Sequence, residues 1–355
     1  MIPSMLNRRT SLTAALAMAT LAAFTAAATA TAAEPAGYSV TGRIPAPGGA
    51  WDYAVVDQPG GRLYLAQGGV TAIDLKSGTV IPRLVTARIS HGLATLGGGA
   101  IAVDDSQTKV ITVFEGLTGK ILATIPTADD NPVSGLHALD ALVLEPHTGL
   151  LIAVNGESGL LLLIDLKKSR VAGTISVGGH PEFAAADGSG RVWININDGE
   201  TSEVAAVDIS SRAVVKRVRL SGCKGATGLA HDEVTKLLMA VCDNGFLKVF
   251  DEHARMVASV AVGQGADAIM FDSKRRRAFV ASGDSGTLSV IAVRSALDIK
   301  LVQTIPTQSG TRLGAVDIDS GRVFLPAAKF GPPKPPSPYP SVVPGTFEFI
   351  VVAPD

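Results

Sequence analysis

The chain has 355 residues, and its 31 basic and 32 acidic residues leave a formal net charge of −1. This balance argues against a nucleic-acid-binding protein, because that class usually carries a clear basic excess. Beyond the N-terminus, no stretch reaches the roughly 18 unbroken apolar residues of a transmembrane helix, so no membrane span is predicted. The 38 glycines and few aromatic residues indicate many tight turns rather than helices.

Residues 1–33 are predicted to be a secretory signal peptide rather than part of the fold. A short basic segment precedes the mildly apolar LTAALAMATLAAFTAAA, and TATAAE supplies the small residues of a cleavage site. The pair Arg8-Arg9, followed by TSL, resembles a twin-arginine signal, while an ordinary Sec signal explains it equally well. Cleavage would leave 29 basic and 32 acidic residues, a net charge of −3. We therefore expect a periplasmic or secreted protein.

A repeated unit of two β-hairpins follows the signal peptide. VLEPHTGLLIAV, from Val143, is typical of the first hairpin, and LLLIDLKKSRVAGTISV of the second. The turns of the second hairpins open at Asp74, Glu115, Asp165, Asp208, Asp251 and Val293. Their spacing of 41 to 50 residues is typical of a four-stranded propeller blade.

Six complete units and a seventh that begins at Arg312 predict an all-β fold, a single seven-bladed β-propeller over residues 34–355. The seventh unit lacks a fourth strand, and YSVTGRIPAP, from Tyr38, matches that strand in the other units. We expect this N-terminal strand to complete the last blade, which leaves fewer exposed strand edges.

The Pro-rich segment AKFGPPKPPSPYPSVVPG, residues 328–345, falls inside the last blade. It separates the second strand from TFEFIVV, which is predicted to be the third. Polyproline conformation needs no ladder hydrogen bonds and loses little entropy on ordering. We predict a semi-rigid flap over or beside the mouth of the central channel, with Phe330 and Tyr339 as its aromatic contacts.

Several motifs resemble a known family. LLIAVNGESGLLLLID and VWININDGETSEVAAVD are similar to the YVTN repeat, and VGQGADAIMFD, GDSGTLSVI and LPAAKFGPP resemble the exported YncE-like YVTN propellers. The resemblance extends along residues 34–355 and implies an extracytoplasmic β-propeller without an assigned activity. It also implies nucleic-acid binding for some relatives, which the charge of this chain does not support. We expect a monomer.

Aligning the units places one residue per blade at the mouth of the central channel, where the inner strands begin. These residues are Asp52, His91, Asp140, Glu182, Thr227, Asp267 and Arg312, with Trp51, Tyr53 and Phe183 beside them. Carboxylates that converge in a channel raise one another's pKa, and a neighbouring His or Arg balances their charge. Three interpretations stay open: a hydrated channel whose charges hold the blades in register, a ligand- or cation-binding site, and a catalytic site.

The leading hypothesis is a non-catalytic binding or scaffold protein that takes a small ligand or an extracytoplasmic protein partner through this polar funnel. No nucleophile motif such as GxSxG accompanies the ring. The alternative is a propeller enzyme of the lactone-hydrolase or lyase type. In it, Glu182 or Asp267 would be the base, His91 an acid or ligand, and Arg312 the residue that stabilises a substrate anion.

Three histidines near the funnel, His91, His137 and His180, are candidates to bind zinc or copper. No close-spaced histidine motif requires a metal, and no motif requires another cofactor, so a divalent metal stays an open option. Cys223 and Cys242 lie at the same end of one predicted hairpin. Since exported cysteine pairs oxidise, a disulfide is predicted, with a pair of buried thiols as the alternative.

Overall fold

A computed structural model describes residues 37–127, 139–333 and 340–355, and seven four-stranded antiparallel sheets make up its seven-bladed β-propeller. The fold class predicted from the repeats is therefore confirmed. Over these ranges there is no helix, and hence none that is long and apolar enough to cross a membrane. The predicted signal peptide lies outside the described residues and stays a prediction.

The first six blades each follow chain order from the inner to the outer strand. Strand β1 (Tyr38–Pro45) belongs to the last blade. Blade 1 contains β2 (Ala54–Asp57), β3 (Arg62–Ala66), β4 (Gly69–Asp74) and β5 (Val80–Thr86). Blade 2 contains β6 (Leu93–Gly97), β7 (Ala100–Asp105), β8 (Val110–Glu115) and β9 (Ile121–Pro126). Blade 3 contains β10 (Leu139–Glu145), β11 (Leu150–Asn155), β12 (Leu160–Asp165) and β13 (Arg170–Ser176).

The next three blades repeat the same order. Blade 4 contains β14 (Pro181–Ala186), β15 (Arg191–Asp198), β16 (Thr201–Asp208) and β17 (Ala213–Arg219). Blade 5 contains β18 (Ala226–Asp232), β19 (Leu237–Cys242), β20 (Phe246–Asp251) and β21 (Met256–Ala261). Blade 6 contains β22 (Ala266–Asp272), β23 (Arg277–Ser282), β24 (Thr287–Ser295) and β25 (Asp298–Pro306).

The last blade joins the two ends of the propeller. It contains β26 (Ala315–Asp317), β27 (Arg322–Ala327), β30 (Glu348–Pro354) and, as its outer strand, β1. The antiparallel register runs from Tyr38 opposite Pro354 to Pro45 opposite Glu348. The predicted closure by the N-terminal strand is confirmed, and it covers an edge that β30 would otherwise expose.

The Pro-rich segment leaves blade 7 between β27 and β30. Its described parts form a small two-stranded sheet of β28 (Phe330–Pro333) and β29 (Pro340–Val342). We call these two paired strands the proline hairpin. Pro340 is at the start of its strand, where a missing N–H costs no hydrogen bond of a wider sheet.

Acidic residues at the ends of the third strands explain the period that is visible in the sequence. The Asp74 carboxylate accepts hydrogen bonds from the backbone N–H of Ser77 at 2.8 Å and of Lys76 at 3.2 Å. The Ser77 bonds hold the pKa of Asp74 below its ordinary value, because they favour the charged form. Asp165 and Asp208 cap equivalent turns. A short acidic side chain that accepts from its own turn is a local device, so it recurs in each unit.

Hydrophobic clusters fill the spaces between neighbouring blades over the described ranges. Leu63, Phe324 and Phe349 pack between blades 7 and 1, and Trp193 and Phe250 pack between blades 4 and 5. Each fully buried side chain of this size contributes about 1.5–3 kcal/mol. Each blade is therefore held by its two neighbours, and the inner strands stay in position around the channel.

Candidate functional site

The seven residues predicted at the channel mouth lie at the beginnings of the inner strands. Asp52, His91 and Arg312 just precede inner strands, and Asp140, Glu182, Thr227 and Asp267 are the second residues of theirs. Two glycines allow adjacent inner strands to approach closely. A Cβ on Gly92 would lie 2.8 Å from the Asp140 carbonyl oxygen, and one on Gly228 would lie 2.5 Å from that of Asp267.

Asp52 and His91 form an ion pair between blades 1 and 2. The Nδ1 atom of His91 lies 2.8 Å from the Asp52 carboxylate. This hydrogen bond raises the pKa of His91 to about 9, although burial acts in the opposite direction. The backbone N–H groups of His91 and Gly92 donate to Asp104 at 2.8 and 2.7 Å. Asp104 is completely buried, which raises its pKa to about 6, and it fixes the turn that presents the imidazole.

The Asp140 and Glu182 carboxyl groups, from blades 3 and 4, influence each other's ionisation. Burial raises the pKa of Asp140 well above its ordinary value, and the charges of Asp52 and Glu182 raise it further. Burial also raises the pKa of Glu182, against the effect of hydrogen bonds from Asp140 and Asn197. The two carboxyl groups do not both ionise readily, because burial and their like charges disfavour the doubly charged state.

Asp267 and Arg312 form the third charged pair, between blades 6 and 7. The Arg312 Nε atom lies 3.2 Å from the Asp267 carboxylate. Burial raises the pKa of Asp267 to about 6, although the Arg312 charge opposes the increase. Thr227 does not take part in a charged pair. Its hydroxyl donates to the Asp267 carbonyl oxygen at 2.9 Å. The member of the ring from blade 5 therefore braces the acid of blade 6.

Tyr53 and Phe183 meet across the channel. Their ring centroids are 4.7 Å apart, although they come from blades 1 and 4, which lie opposite each other in the ring of blades. Burial raises the pKa of Tyr53 well above its ordinary value, and the carboxylates of the surrounding blades add to this increase. We name these four carboxylates the acidic cup: Asp52, Asp140, Glu182 and Asp267. Tyr53 and Phe183 each directly follow a cup residue in sequence, Asp52 and Glu182.

A cavity of about 650 Å³ opens beside the acidic cup, and we call it the hairpin cavity. Trp51, Phe330 and Val342 supply apolar walls, so the described part of the proline hairpin lies at the channel mouth. The Trp51 ring packs against Phe347 at 4.8 Å and Phe330 at 5.9 Å between centroids. Tyr339 lies outside the described residues. The charged side chains of the walls are Asp243, Asp267, Asp284 and Arg312.

A disulfide holds one wall of the hairpin cavity. Cys223 and Cys242 are bonded, as predicted, across the first hairpin of blade 5. Gly225 and Asp243, which line the cavity, each lie within two residues of one of these cysteines. The position of this wall is therefore covalently restrained.

One of the three histidines named from the sequence, His91, belongs to a group of side chains that could hold a metal ion. Over the described ranges, Asp52, His91 and Asp140 offer ligand atoms that lie within 4.8 Å of one another. His180 is exposed, and its Nδ1 atom lies 3.3 Å from the Gly156 carbonyl oxygen. His137 lies outside the described residues. Equivalent positions in a repeat predict which residues start a strand, but side-chain direction decides which of them meet.

Comparisons with known proteins agree with the fold. No protein-family model matches the chain, and no curated protein does. Among solved structures, the chain is similar to one in Kuenenia stuttgartiensis hydrazine synthase, with a TM-score of 0.64 and 13% identity over 79% of this chain and 92% of that one. It is also similar to a chain in a crystal structure of the mitotic checkpoint complex, with a TM-score of 0.67 and 13% identity over 89% and 95%. At this identity, the likeness shows the fold alone.

Proposed function

We propose that this protein binds a small organic cation, whose charged group enters the acidic cup through the hairpin cavity. The observation that carries the proposal is the convergence of four carboxylates around Tyr53, whose ring meets that of Phe183 at 4.7 Å across the channel. His91 and Arg312 balance the charges of Asp52 and Asp267, so the excess negative charge of the cup lies on Asp140 and Glu182. In a partly desolvated site, this charge attracts a cation more strongly than it does in water.

The aromatic walls favour an organic cation over a metal ion. Trp51 and Phe330 line the cavity, so that an ammonium group there can contact aromatic faces. A metal at Asp52, His91 and Asp140 would require a deprotonated imidazole. The hydrogen bond to Asp52 raises the pKa of His91 to about 9 and so keeps the imidazole protonated at neutral pH. An ammonium ligand needs no such loss of a proton.

The same proposal places the protein outside the cytoplasm, among the exported YncE-like YVTN propellers. The repeat motifs and the N-terminal segment support this placement, and the disulfide agrees with an oxidising compartment. Mass spectrometry of the protein from fractionated cells tests it. We expect an extracytoplasmic species that begins near residue 34, and an uncleaved cytoplasmic chain would contradict the proposal.

The indole N–H of Trp51 provides a direct test of cation binding. The chain has two tryptophans, and Trp193 is buried with its Nε1 atom donating to Asp187, so its signal serves as a reference within the molecule. We expect tetramethylammonium and putrescine to shift the Trp51 signal saturably in ¹⁵N-labelled protein. Asp267→Asn should weaken this binding about tenfold, which corresponds to ~1.4 kcal/mol for one lost charge interaction.

Glu233→Gln is the matched control, since Glu233 is exposed in a turn of blade 5 outside the hairpin cavity. It should leave the affinity unchanged. Absence of a saturable shift with either ammonium probe would overturn the proposal. A shift with Zn²⁺, Ca²⁺ or Mg²⁺ alone would also overturn it, in favour of a metal site.

The Asp140–Glu182 pair favours acid–base catalysis as a second candidate. A carboxyl group with a raised pKa can donate a proton at neutral pH, as an enzyme of the lactone-hydrolase or lyase type requires. NMR assays of a panel of lactones would detect this activity. Turnover that Glu182→Gln abolishes while Glu233→Gln preserves it would support the enzyme, and no turnover across the panel would contradict it.

A further inference from the structure

A second cavity, of about 410 Å³, lies on the same face between blades 1 and 2. Its walls are the segment before β2, the turn between β3 and β4, and the chain around and after β5. It shares Ala50 and Trp51 with the hairpin cavity, so the Trp51 indole separates the two spaces. We call it the arginine cavity, because Arg83 and Arg88 both line it.

Both guanidinium groups are exposed. Within the described parts of the chain, neither guanidinium group forms an ion pair with a carboxylate or donates a hydrogen bond to another residue. The Asp105 carboxylate, which lies beside this segment, accepts hydrogen bonds from backbone N–H groups, including those of Arg88 at 3.0 Å and Ile89 at 3.3 Å. The two arginines therefore present ten unused N–H donors, five on each guanidinium group.

An enlarged bulge in β5 places Arg83. Between the pairs Val70–Val85 and Ala72–Ile81, β4 advances by two residues and β5 by four. At the corresponding irregularity of blade 2, β8 advances by one residue and β9 by two. Arg83 lies within the blade 1 bulge with a φ of 52°, in the left-handed region that costs a non-glycine residue about 1 kcal/mol or more. Bulges commonly re-aim a side chain, and here the re-aimed side chain lines a cavity.

The charges that line this cavity do not cancel. Its charged side chains are those of Asp52, His91, Arg83 and Arg88. Asp52 and His91 neutralise each other at 2.8 Å, which leaves the two guanidinium groups in excess. On the opposite wall, the Gln67 amide is occupied by hydrogen bonds within the protein. It donates to the Pro47 carbonyl oxygen at 3.0 Å and accepts from the Thr71 hydroxyl at 2.9 Å.

We propose that the arginine cavity binds an oxyanion group, a carboxylate or a phosphate, between Arg83 and Arg88. The planar fork of a guanidinium matches two oxygens of such a group, and two forks on one cavity provide more donors than a single surface arginine. This site goes beyond the cation binding proposed above. It lies on the other side of Trp51 and has the opposite charge.

The Trp51 signal also reports on this cavity, with Trp193 again as the reference. Acetate and inorganic phosphate are titrated separately at constant ionic strength, with chloride as the balancing anion. We expect at least one of them to shift Trp51 saturably. Arg83→Gln and Arg88→Gln should each weaken this binding tenfold or more, and Arg88→Lys, which keeps the charge but loses the fork, should weaken it less. The stronger probe identifies the ligand as a carboxylate or a phosphate.

Arg219→Gln is the control, because Arg219 is an exposed arginine of an outer strand, in blade 4, that lies outside the cavity. Equal losses in this variant would assign the effect to overall charge and overturn the proposal. Absence of a saturable shift with both anions would overturn it too. Ammonium binding and its loss in Asp267→Asn are measured independently, so either proposal can fail without the other.

Discussion

The hairpin cavity and the arginine cavity share the Trp51 wall but differ in charge. Three aspartates face one arginine in the hairpin cavity, whereas two arginines exceed a neutral Asp52–His91 pair in the arginine cavity. Both lie on one face of a ring of equivalent blades. The repeat therefore supplies the framework, while single departures from it, a proline hairpin in blade 7 and an enlarged bulge in blade 1, each contribute side chains to one cavity.

The two cavities also differ in how their walls are held. A disulfide and the proline hairpin restrain the hairpin cavity, while side-chain hydrogen bonds of Gln67 brace the arginine cavity. Perturbations can therefore be chosen that reach one cavity and leave the other unchanged.

Removal of the disulfide should have the largest effect. Its cysteines are 19 residues apart, and a loop of this length contributes about 3 kcal/mol to the free energy of unfolding. We expect Cys223→Ala with Cys242→Ala to lower this free energy by about that amount in urea denaturation. The folded variant should also bind ammonium probes more weakly but bind oxyanions as before. Equal weakening at both cavities would contradict a local role for the disulfide.

The Asp52–His91 pair should make stability depend on pH. The hydrogen bond to Asp52 raises the pKa of His91 from 6.5 to about 9, so its stabilisation is fully present below pH 6.5 and is lost as the pH rises through 9. Because about a third of the His91 side chain is exposed, solvent screening reduces the expected loss to about 2 kcal/mol. Urea denaturation at pH 6.5 and 9.5 measures it.

His91→Gln should remove most of this loss between pH 6.5 and 9.5. His253→Gln, at an exposed turn of blade 5, should retain it. The same pH dependence in both variants would show that His91 is not the titrating group.

Ammonium affinity should fall in acid while oxyanion affinity does not. Burial raises the pKa of Asp267 to about 6, so this carboxylate is largely neutral at pH 5 and charged at pH 7.5. We expect about a tenfold decrease in ammonium affinity over this range, and a smaller decrease in Asp267→Asn. Guanidinium groups are not deprotonated in proteins, so the arginine cavity offers no such loss of charge. A parallel decrease in acetate or phosphate affinity, after correction for the protonation of the probe itself over this range, would show that the two cavities are not electrostatically distinct.

Loss of the Phe330 ring should have the smallest effect. Phe330 lines the hairpin cavity and contacts Trp51, but its side chain stays partly exposed. We expect Phe330→Ala to weaken ammonium binding about threefold, within the range of an exposed cation–π contact, and to leave oxyanion binding unchanged. Leu297→Ala removes an exposed apolar side chain of blade 6 and should change neither affinity. Equal effects of the two variants would exclude a ligand contact for the ring.

Local and periodic features were predictable from the sequence. Acids such as Asp74 and Asp165 cap their own turns, so they mark the blade period directly. The same period placed the Pro-rich segment between two strands of blade 7 and brought Cys223 and Cys242 to one end of a hairpin. Each of these relations joins residues within one blade, or strands that pair at a regular offset.

Contacts between blades were not predictable in the same way. Tyr53 and Phe183 are 130 positions apart and meet only because blades 1 and 4 face each other across the channel. His180 was grouped with His91 because both precede inner strands, yet His91 bonds to Asp52 and His180 turns to the Gly156 carbonyl. Arg83 gave no signal, since its position depends on a bulge that no sequence period records.

The amino-acid sequence by itself determined the propeller, its seven blades, the closing strand, the disulfide and the set of polar residues at the channel mouth. Only the tertiary structure decided which of those residues pair, which cavity each one lines, and that Arg83 and Arg88 remain available for a ligand. The reason is physical. Turns and strand pairs follow from neighbours along the chain, whereas pKa shifts, ion pairs and cavities arise where distant side chains are brought together and shielded from water.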